Sequence, residues 1–335
     1  MKASVGEMLR MSVALARSAI LRPRPFLLYL KPTARCDLRC AICNRWQESS
    51  SSEEELTLEE IKGVLARFRA AGAQIVTLWG GEPTLRRDLP EILAEAKRLG
   101  MRTSMCTNCN SLAKKADAVL PNLDTLLCSL DGYGEAHDAQ RGVPGLFDRV
   151  LAALAAAQRF PHLRLKIWAT VHSRNAGQQE RLAQLAREHG AWIEFFPVSP
   201  IPGYNNETVP DAEMLAEVFA EVARLKRAGY PVWNADRVID KMARGAPFKC
   251  NFGHASIHMD HKGTVYSCED PAGTPIHVWG PHAGIDLEEL YASAEFQAVA
   301  RRLETCGRCS LPCVVELADN LTVDLASMFV QSVTR

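Results

Sequence analysis

From Phe26 onward the chain alternates short β-branched or aliphatic runs with longer helical patterns, about six times before residue 200. Such alternation has one economical solution, a parallel sheet whose successive strands are joined by right-handed helical crossovers. Functional groups in that arrangement gather at the carboxyl ends of the strands. The predicted strands cover residues 26–31, 75–78, 103–106, 125–130, 165–171 and 192–197. Thr57 and Glu60 predict a capping box for a helix whose Ile61, Val64, Leu65 and Phe68 recur at i, i+3, i+4 and i+7, with Gly72 as its stop. Asp88 is the expected N-cap of a helix carrying Leu89, Ile92, Leu93 and Ala96, which Gly100 ends. With 335 residues, 47% hydrophobic and 23% charged, the chain can build one large domain and a smaller one, and intrinsic disorder is excluded as the main description.

After Pro200 the texture changes. Residues 201–210 form a loop rich in Pro, Gly and Asn and mark a domain junction, followed by a helix over 211–228. Beyond Cys250 the sequence predicts a hairpin (256–259 and 264–268, turning at His261-Lys262-Gly263), a helix over 286–303 and a cysteine knot at its end. Residues 49–55 read as a solvated loop, and no internal repeats are found. At the other end, Arg10, Arg17, Arg22 and Arg24 interrupt an apolar stretch that Pro23 and Pro25 terminate, so no run reaches the ~20 apolar residues of a membrane span. Leu9, Val13, Ala16 and Ile20 share one helical face. The expectation is an N-terminal amphipathic helix over 1–25 docked on the floor of the fold, with peripheral membrane contact as the alternative. Lys+Arg and Asp+Glu balance at 39 each, whereas a protein that coats nucleic acid carries a basic surplus, so no nucleic-acid partner is expected.

Eleven cysteines are the departure from average usage. They fall at Cys36, Cys40 and Cys43; Cys106, Cys109 and Cys128; Cys250 and Cys268; and Cys306, Cys309 and Cys313. An odd total in two tight clusters, without a secretory signal, reads as metal ligation in a reducing compartment, and the expected location is the cytoplasm. The first cluster, Cys36-Asp37-Leu38-Arg39-Cys40-Ala41-Ile42-Cys43, follows the first strand. Three thiolates with no fourth Cys or His nearby leave a metal site one ligand short, unlike the closed four-ligand set of structural zinc. A [4Fe–4S] cluster held by three cysteines keeps one iron free for a substrate or cofactor.

Cys36-x3-Cys40-x2-Cys43 after a first strand resembles the defining motif of the radical S-adenosylmethionine (radical SAM) enzymes. Trp79-Gly80-Gly81-Glu82-Pro83-Thr84 after the second strand resembles that family's GGEP motif, which holds the methionine amino group of SAM. Paired glycines allow close backbone approach, and a carboxylate pairs with an ammonium. Thr107-Asn108-Cys109 stands where many relatives have Thr-Asn-Gly, and Ser129-Leu130-Asp131-Gly132, with His137-Asp138 and Arg141-Gly142, resembles another stretch of the branch. The resemblance implies that Asn108, Ser129 and Asp131 contact the methionine carboxylate and ribose, that Ile42 packs on adenine, and that Asn175 is a further ribose contact whose default state is solvent exposure. Cys109 in place of glycine departs from the pattern.

Cys250-x12-Gly263-x4-Cys268 together with Cys306-x2-Cys309-x3-Cys313 resembles the C-terminal auxiliary-cluster modules of the family, called SPASM with two clusters and twitch when shortened to one. Full SPASM modules carry seven cysteines; five here imply one auxiliary [4Fe–4S] cluster, with one of the last three cysteines spare. If Cys306, Cys309 and Cys313 all bind, either Cys250 or Cys268 is free or the ligand set differs from the family's. Zinc is the competing occupant, because Cys-x2-Cys knuckles also serve zinc. Cys106 and Cys128 are expected to be small buried hydrophobes and Cys109 a non-ligand. His258, His261 and His277 flank the module and are read as surface or core residues.

The implied fold class is α/β, a partial (β/α)6 radical SAM barrel over 26–200, then a helical linker over 201–245 and a small C-terminal α+β iron–sulfur module over 246–335. The implied activity is reductive cleavage of SAM at the three-cysteine cluster and abstraction of hydrogen from an organic substrate by a 5′-deoxyadenosyl radical, with no catalytic acid or base assigned. An electron donor such as flavodoxin or ferredoxin is the implied protein partner. Only about 25 residues precede the barrel and no extra peptide-recognition domain is evident, which favours a small molecule or lipid precursor; ribosomal-peptide maturation is the second reading. A non-enzymatic zinc or electron-transfer protein is the reading from another class.

Overall fold

The computed structural model describes residues 24–48, 50–246 and 248–309. Residues 1–23 of the predicted N-terminal helix, and Cys313, lie outside them. Six parallel strands stand in sequence order, β1 (Leu27–Leu30), β2 (Ile75–Leu78), β3 (Arg102–Thr107), β4 (Thr125–Ser129), β5 (Arg164–Val171) and β6 (Trp192–Pro197), each paired with its predecessor. The crossovers are α1 (Leu58–Ala70), α2 (Leu89–Arg98), α3 (Leu112–Val119), the pair α4 (Glu135–Arg141) and α5 (Leu146–Ala157), and α6 (Gln179–Glu188). This is the expected α/β class. Leu28, Leu30, Leu78, Met105, Leu126 and Ile167 are fully buried, as parallel strands covered by helices require.

Local signals account for most element ends. The Thr57–Glu60 capping box forms on α1: the Glu60 amide donates to Thr57 Oγ1 at 3.3 Å and the Thr57 amide to Glu60 Oε2 at 2.7 Å. Ile61, Val64, Leu65 and Phe68 are its buried face. At α2 the expected cap is absent. The Asp88 carboxylate is instead gripped by Arg86, whose Nε and Nη2 both donate at 2.7 Å, and Pro90 in the first turn starts the helix without it. α7 (Ala212–Arg227) begins at Asp211, which accepts the Met214 amide at 2.8 Å, and α8 (Asp236–Arg244) packs on it.

The C-terminal part departs further from expectation. After the single turn α9 (Phe252–Ala255) come β7 (Ser256–Met259), β8 (Thr264–Tyr266) and a third strand, β9 (Val278–Pro281), that the sequence did not signal. The hairpin extends the main sheet. β7 lies parallel to β1, with Leu28 opposite Ile257 and Leu30 opposite Met259, all fully buried. The strand order among the described residues is therefore β6-β5-β4-β3-β2-β1-β7-β8-β9. The helix expected over 286–303 is two, α10 (Leu287–Ala292) and α11 (Ala294–Leu303), because Ser293 accepts the Phe296 amide at 3.0 Å and starts a new helix. Among the described residues no helix is long and apolar enough to cross a membrane.

Candidate active site

At the carboxyl ends of the strands lies a cavity of about 280 Å³ onto which Cys36, Cys40 and Cys43 face from one side and Cys268 and Cys309 from another. The loop after β1 is clamped in place. A Cβ on Gly81 would collide with the carbonyls of Ala34 and Arg35, so only glycine lets this loop pass, and the Gly81 and Glu82 amides donate to Thr33 O (3.2 Å) and Arg35 O (2.8 Å). The space beside Gly80 is filled by the Lys31 side chain. The closest approach that the two glycines permit is thus to the cysteine loop, although both also line the cavity.

Further bonds hold the loop from three directions. Asp37 accepts from Asn108 Nδ2 and Asn110 Nδ2, each at 2.8 Å, and the Ala41 amide donates to Gln140 O at 2.9 Å. The Tyr204 hydroxyl reaches the carbonyls of both Cys40 and Cys43 at 3.0 Å while accepting from Trp46 Nε1 at 3.1 Å, and Asn205 Nδ2 reaches Ile42 O at 3.3 Å. Sequence reasoning missed Tyr204 and Asn205 because residues 201–210 carried only turn signals.

In the loop's own electrostatics burial opposes thiolate charge, and one cation offsets it in part at Cys40. Burial pushes the Cys36 thiol up to about 12 and the Cys40 thiol up to about 11, while Arg141, with Nη1 3.9 Å from Cys40 Sγ, pulls the latter down. Arg141 is itself fixed by Asp131 at 2.7 Å. Glu82 is 1% exposed and takes four donors: the Thr84 amide (3.0 Å), Thr84 Oγ1 and Thr107 Oγ1 (each 2.7 Å) and the Asn108 amide (2.8 Å). Burial outweighs these bonds and raises its carboxyl, so a cation arriving beside it is favoured.

Of the remaining expected contacts, Ile42, Asn108 and Ser129 line the cavity. Pro83 instead opens a short 3₁₀ turn. Asp131 is fully buried; burial alone would raise its carboxyl, but Arg141 and His137 hold it below its ordinary value, and it accepts the Thr170 amide at 3.0 Å. Asn175 is 3% exposed rather than solvated, and its amide spans Asp131 O (2.6 Å) and Thr170 O (2.7 Å). Pro83, Asp131 and Asn175 do not line the cavity. Cys128 is buried in the core as expected, but Cys106 faces the cavity, with Sγ 3.9 Å from Ser129 Oγ.

The second cysteine group also gathers. Cys250 is buried with Phe26, Phe252 and Ala255, and Cys268 and Cys309 pack against this cluster. Burial pushes the Cys250 thiol up to about 12, and the neighbouring Cys309 and Cys306 add to the rise. Among the described residues no three His, Cys, Asp or Glu side chains converge on a single metal-ion site. The fit to iron–sulfur clusters rests instead on donor chemistry: soft thiols, three on one clamped loop beside a buried guanidinium, facing a cavity they share with a second thiol group.

The Radical SAM superfamily model matches residues 30–162. Fe-coproporphyrin III synthase of Methanosarcina barkeri is 33% identical over 160 residues, 47% of this chain and 39% of that protein. PqqA peptide cyclase of Xanthomonas campestris pv. campestris is 27% identical over 312 residues, 86% of this chain and 80% of that protein. The chain spans 39%, 55% and 57% of the length of three curated relatives, about half. Streptococcus suis SuiB bound to S-adenosylmethionine superposes with a TM-score of 0.70 at 17% identity, over 94% of this chain and 80% of that one, a likeness of fold. The segment over 30–162, which carries the three cysteines on the loop that follows β1, is the part of the chain that is similar to the radical SAM superfamily.

Proposed function

We propose that the chain is a radical SAM enzyme, and the observation that carries the reading is that Cys36, Cys40 and Cys43 share one cavity with Glu82, Ser129, Cys268 and Cys309. A three-cysteine [4Fe–4S] cluster with bound SAM supplies one-electron cleavage of the sulfonium and a 5′-deoxyadenosyl radical for hydrogen abstraction. The chain's part is position and exclusion of water. Arg141 neutralises charge at Cys40, Glu82 pairs with the methionine ammonium, Asn108 and Ser129 offer hydrogen bonds to the polar groups of SAM, and Ile42 packs on its base. Cys250 and Cys268, with ligands from Cys306, Cys309 and Cys313, hold one auxiliary cluster in a module spanning 246–335. Asp131 and Asn175 act by fixing Arg141 and the loop after β5. A cytoplasmic setting with flavodoxin or ferredoxin as electron donor accompanies this reading.

The substrate proposed is a small molecule or lipid precursor. Peptide maturation is the second reading, favoured by the match to PqqA peptide cyclase over 86% of the chain. The test is iron and sulfide content with EPR on anaerobically reconstituted, dithionite-reduced protein, with and without SAM. About eight irons per chain and a SAM-perturbed signal are expected. Cys40→Ala should lose that perturbation and SAM cleavage, whereas Cys268→Ala should keep some uncoupled cleavage and block turnover. Wild-type cleavage by Cys40→Ala overturns the site assignment. Four irons with one zinc removes the auxiliary cluster, and a chain that takes up zinc but no iron removes the enzyme reading.

A further inference from the structure

The cavity has a polar face that none of the cofactor contacts above uses. Pairing of β2, β1 and β7 sets Thr77, Tyr29 and His258 side by side in one row, and all three line the cavity. The His258 ring stacks on Tyr29, with centroids 5.0 Å apart and 13° between planes, and meets Trp79 edge-on at 5.9 Å and 81°. Phe252 packs against both rings, 5.5 Å from His258 and 5.1 Å from Tyr29. His258 is 2% exposed, yet neither of its ring nitrogens has a hydrogen-bond partner, and the buried indole N–H of Trp79, also on the cavity wall, has none. Buried polar groups in native proteins are almost always paired, so unpaired ones on two residues of one cavity wall, closed off until the rings turn toward the cavity, mark where a ligand's polar atom belongs.

The chemistry of that atom follows from the groups that await it. The nearby charges are already paired, Arg45 with Glu269 and Lys31 with Glu48, which leaves a neutral set. Burial, with Arg45 and Lys31 adding to it, keeps the imidazole unprotonated, so it offers one N–H and one bare nitrogen. Trp79 offers an N–H alone. A hydroxyl answers both at once, accepting from the indole and donating to the bare imidazole nitrogen. The surrounding walls, Tyr29, Trp79 and Phe252, are aromatic and suit a flat apolar body.

We propose that His258 and Trp79 form a substrate-anchoring subsite for a hydroxyl carried on an aromatic ring, held between the 36–43 loop and Cys268. The subsite deepens the radical-enzyme reading and takes the word substrate from it. His258 is a binding residue here and moves no proton in the reaction.

The test is an anaerobic ligand-observed NMR titration of the cofactor-loaded full chain with three probes of one shape: p-cresol, 4-methylanisole and toluene. p-Cresol should bind at least about tenfold more tightly than toluene, with 4-methylanisole, an acceptor only, between them. His258→Phe should lose the preference for p-cresol over 4-methylanisole while still binding toluene, and His258→Gln, which keeps a donor and an acceptor, should restore part of it. Equal binding of all three probes by the wild-type chain overturns the proposal, as does a p-cresol preference that survives in a His258→Phe chain with wild-type far-UV circular dichroism. A tie between p-cresol and 4-methylanisole overturns the hydroxyl assignment. The radical-enzyme reading fails separately, through iron content and the SAM-perturbed EPR signal, whatever the probes do.

Discussion

Cys109 carries a side chain through φ +63°, and among the described residues it is the one non-glycine at positive φ. Holding an L-residue there costs about 1–2 kcal/mol, which burial of the thiol and a 3.0 Å bond from its amide to Thr107 Oγ1 offset. Cys109→Gly relieves the backbone but loses that burial and adds unfolded-state entropy, so its stability in urea titrations should stay within about 1 kcal/mol of wild type. Cys109→Val, β-branched at the same φ, should lose at least about 2 kcal/mol. A valine variant as stable as the wild type would mean that the backbone relaxes freely at this position. The motif Thr107-Asn108-Cys109 was legible as a departure from glycine, but the conformation it must adopt was not. Tyr204 was not legible at all, since its bonds run to carbonyls some 160 residues away. Its removal should be felt in the metal site: Tyr204→Phe should release iron to a chelator about 10–100-fold faster, as loss of a group that orients ligands does elsewhere. Unchanged release would show that the remaining bonds to Asp37 and Ala41 hold the loop without it.

Elements were read well where their signals are local and poorly where the partner is remote. The capping box of α1 and the turn at Gly263 are written in adjacent residues, whereas nothing near Ser256 announces that β7 will pair with β1. Parallel pairing leaves no local mark, because its connection is the whole intervening chain. The break at Ser293 was missed because the apolar spacing of 287–303 runs through it, and the hydroxyl cap decides the matter. Gly263 is where the hairpin is most exposed to test. Its φ is +84°, and a Cβ there would meet the His282 ring at 2.5 Å and Leu56 at 3.3 Å. Gly263→Ala should therefore cost about 2 kcal/mol, with the damage confined to the C-terminal strands. Hydrogen exchange should show lost protection in β7 and β8 and retained protection in β3 to β5; uniform loss would mean that the hairpin and the six-stranded sheet unfold as one unit.

On the scale of the molecule, the seam between β1 and β7 is what buries His258, and its closure can be followed with pH. Burial, aided by Arg45 and Lys31, depresses the His258 imidazole to about 3, against about 6.5 in an unfolded chain. Between those values the unfolded state holds a proton that the folded state refuses. The contribution of His258 is thus fully present above about pH 6.5 and is lost as pH falls toward 3, at up to about 1.4 kcal/mol per pH unit. His137, depressed to about 4 by burial and Arg141, works in the same direction. Glu82 and Glu269, whose carboxyls burial raises, work against it, since the folded state takes up their protons first. The difference between wild type and His258→Phe removes those shared contributions. Denaturation at matched cluster content from pH 6 to pH 4 should show the wild type losing about 1.4 kcal/mol per unit more steeply than His258→Phe. Parallel curves would mean that water reaches His258 in the folded chain, and hence that the C-terminal hairpin does not seal the sheet against β1 as the register of Tyr29 with His258 requires.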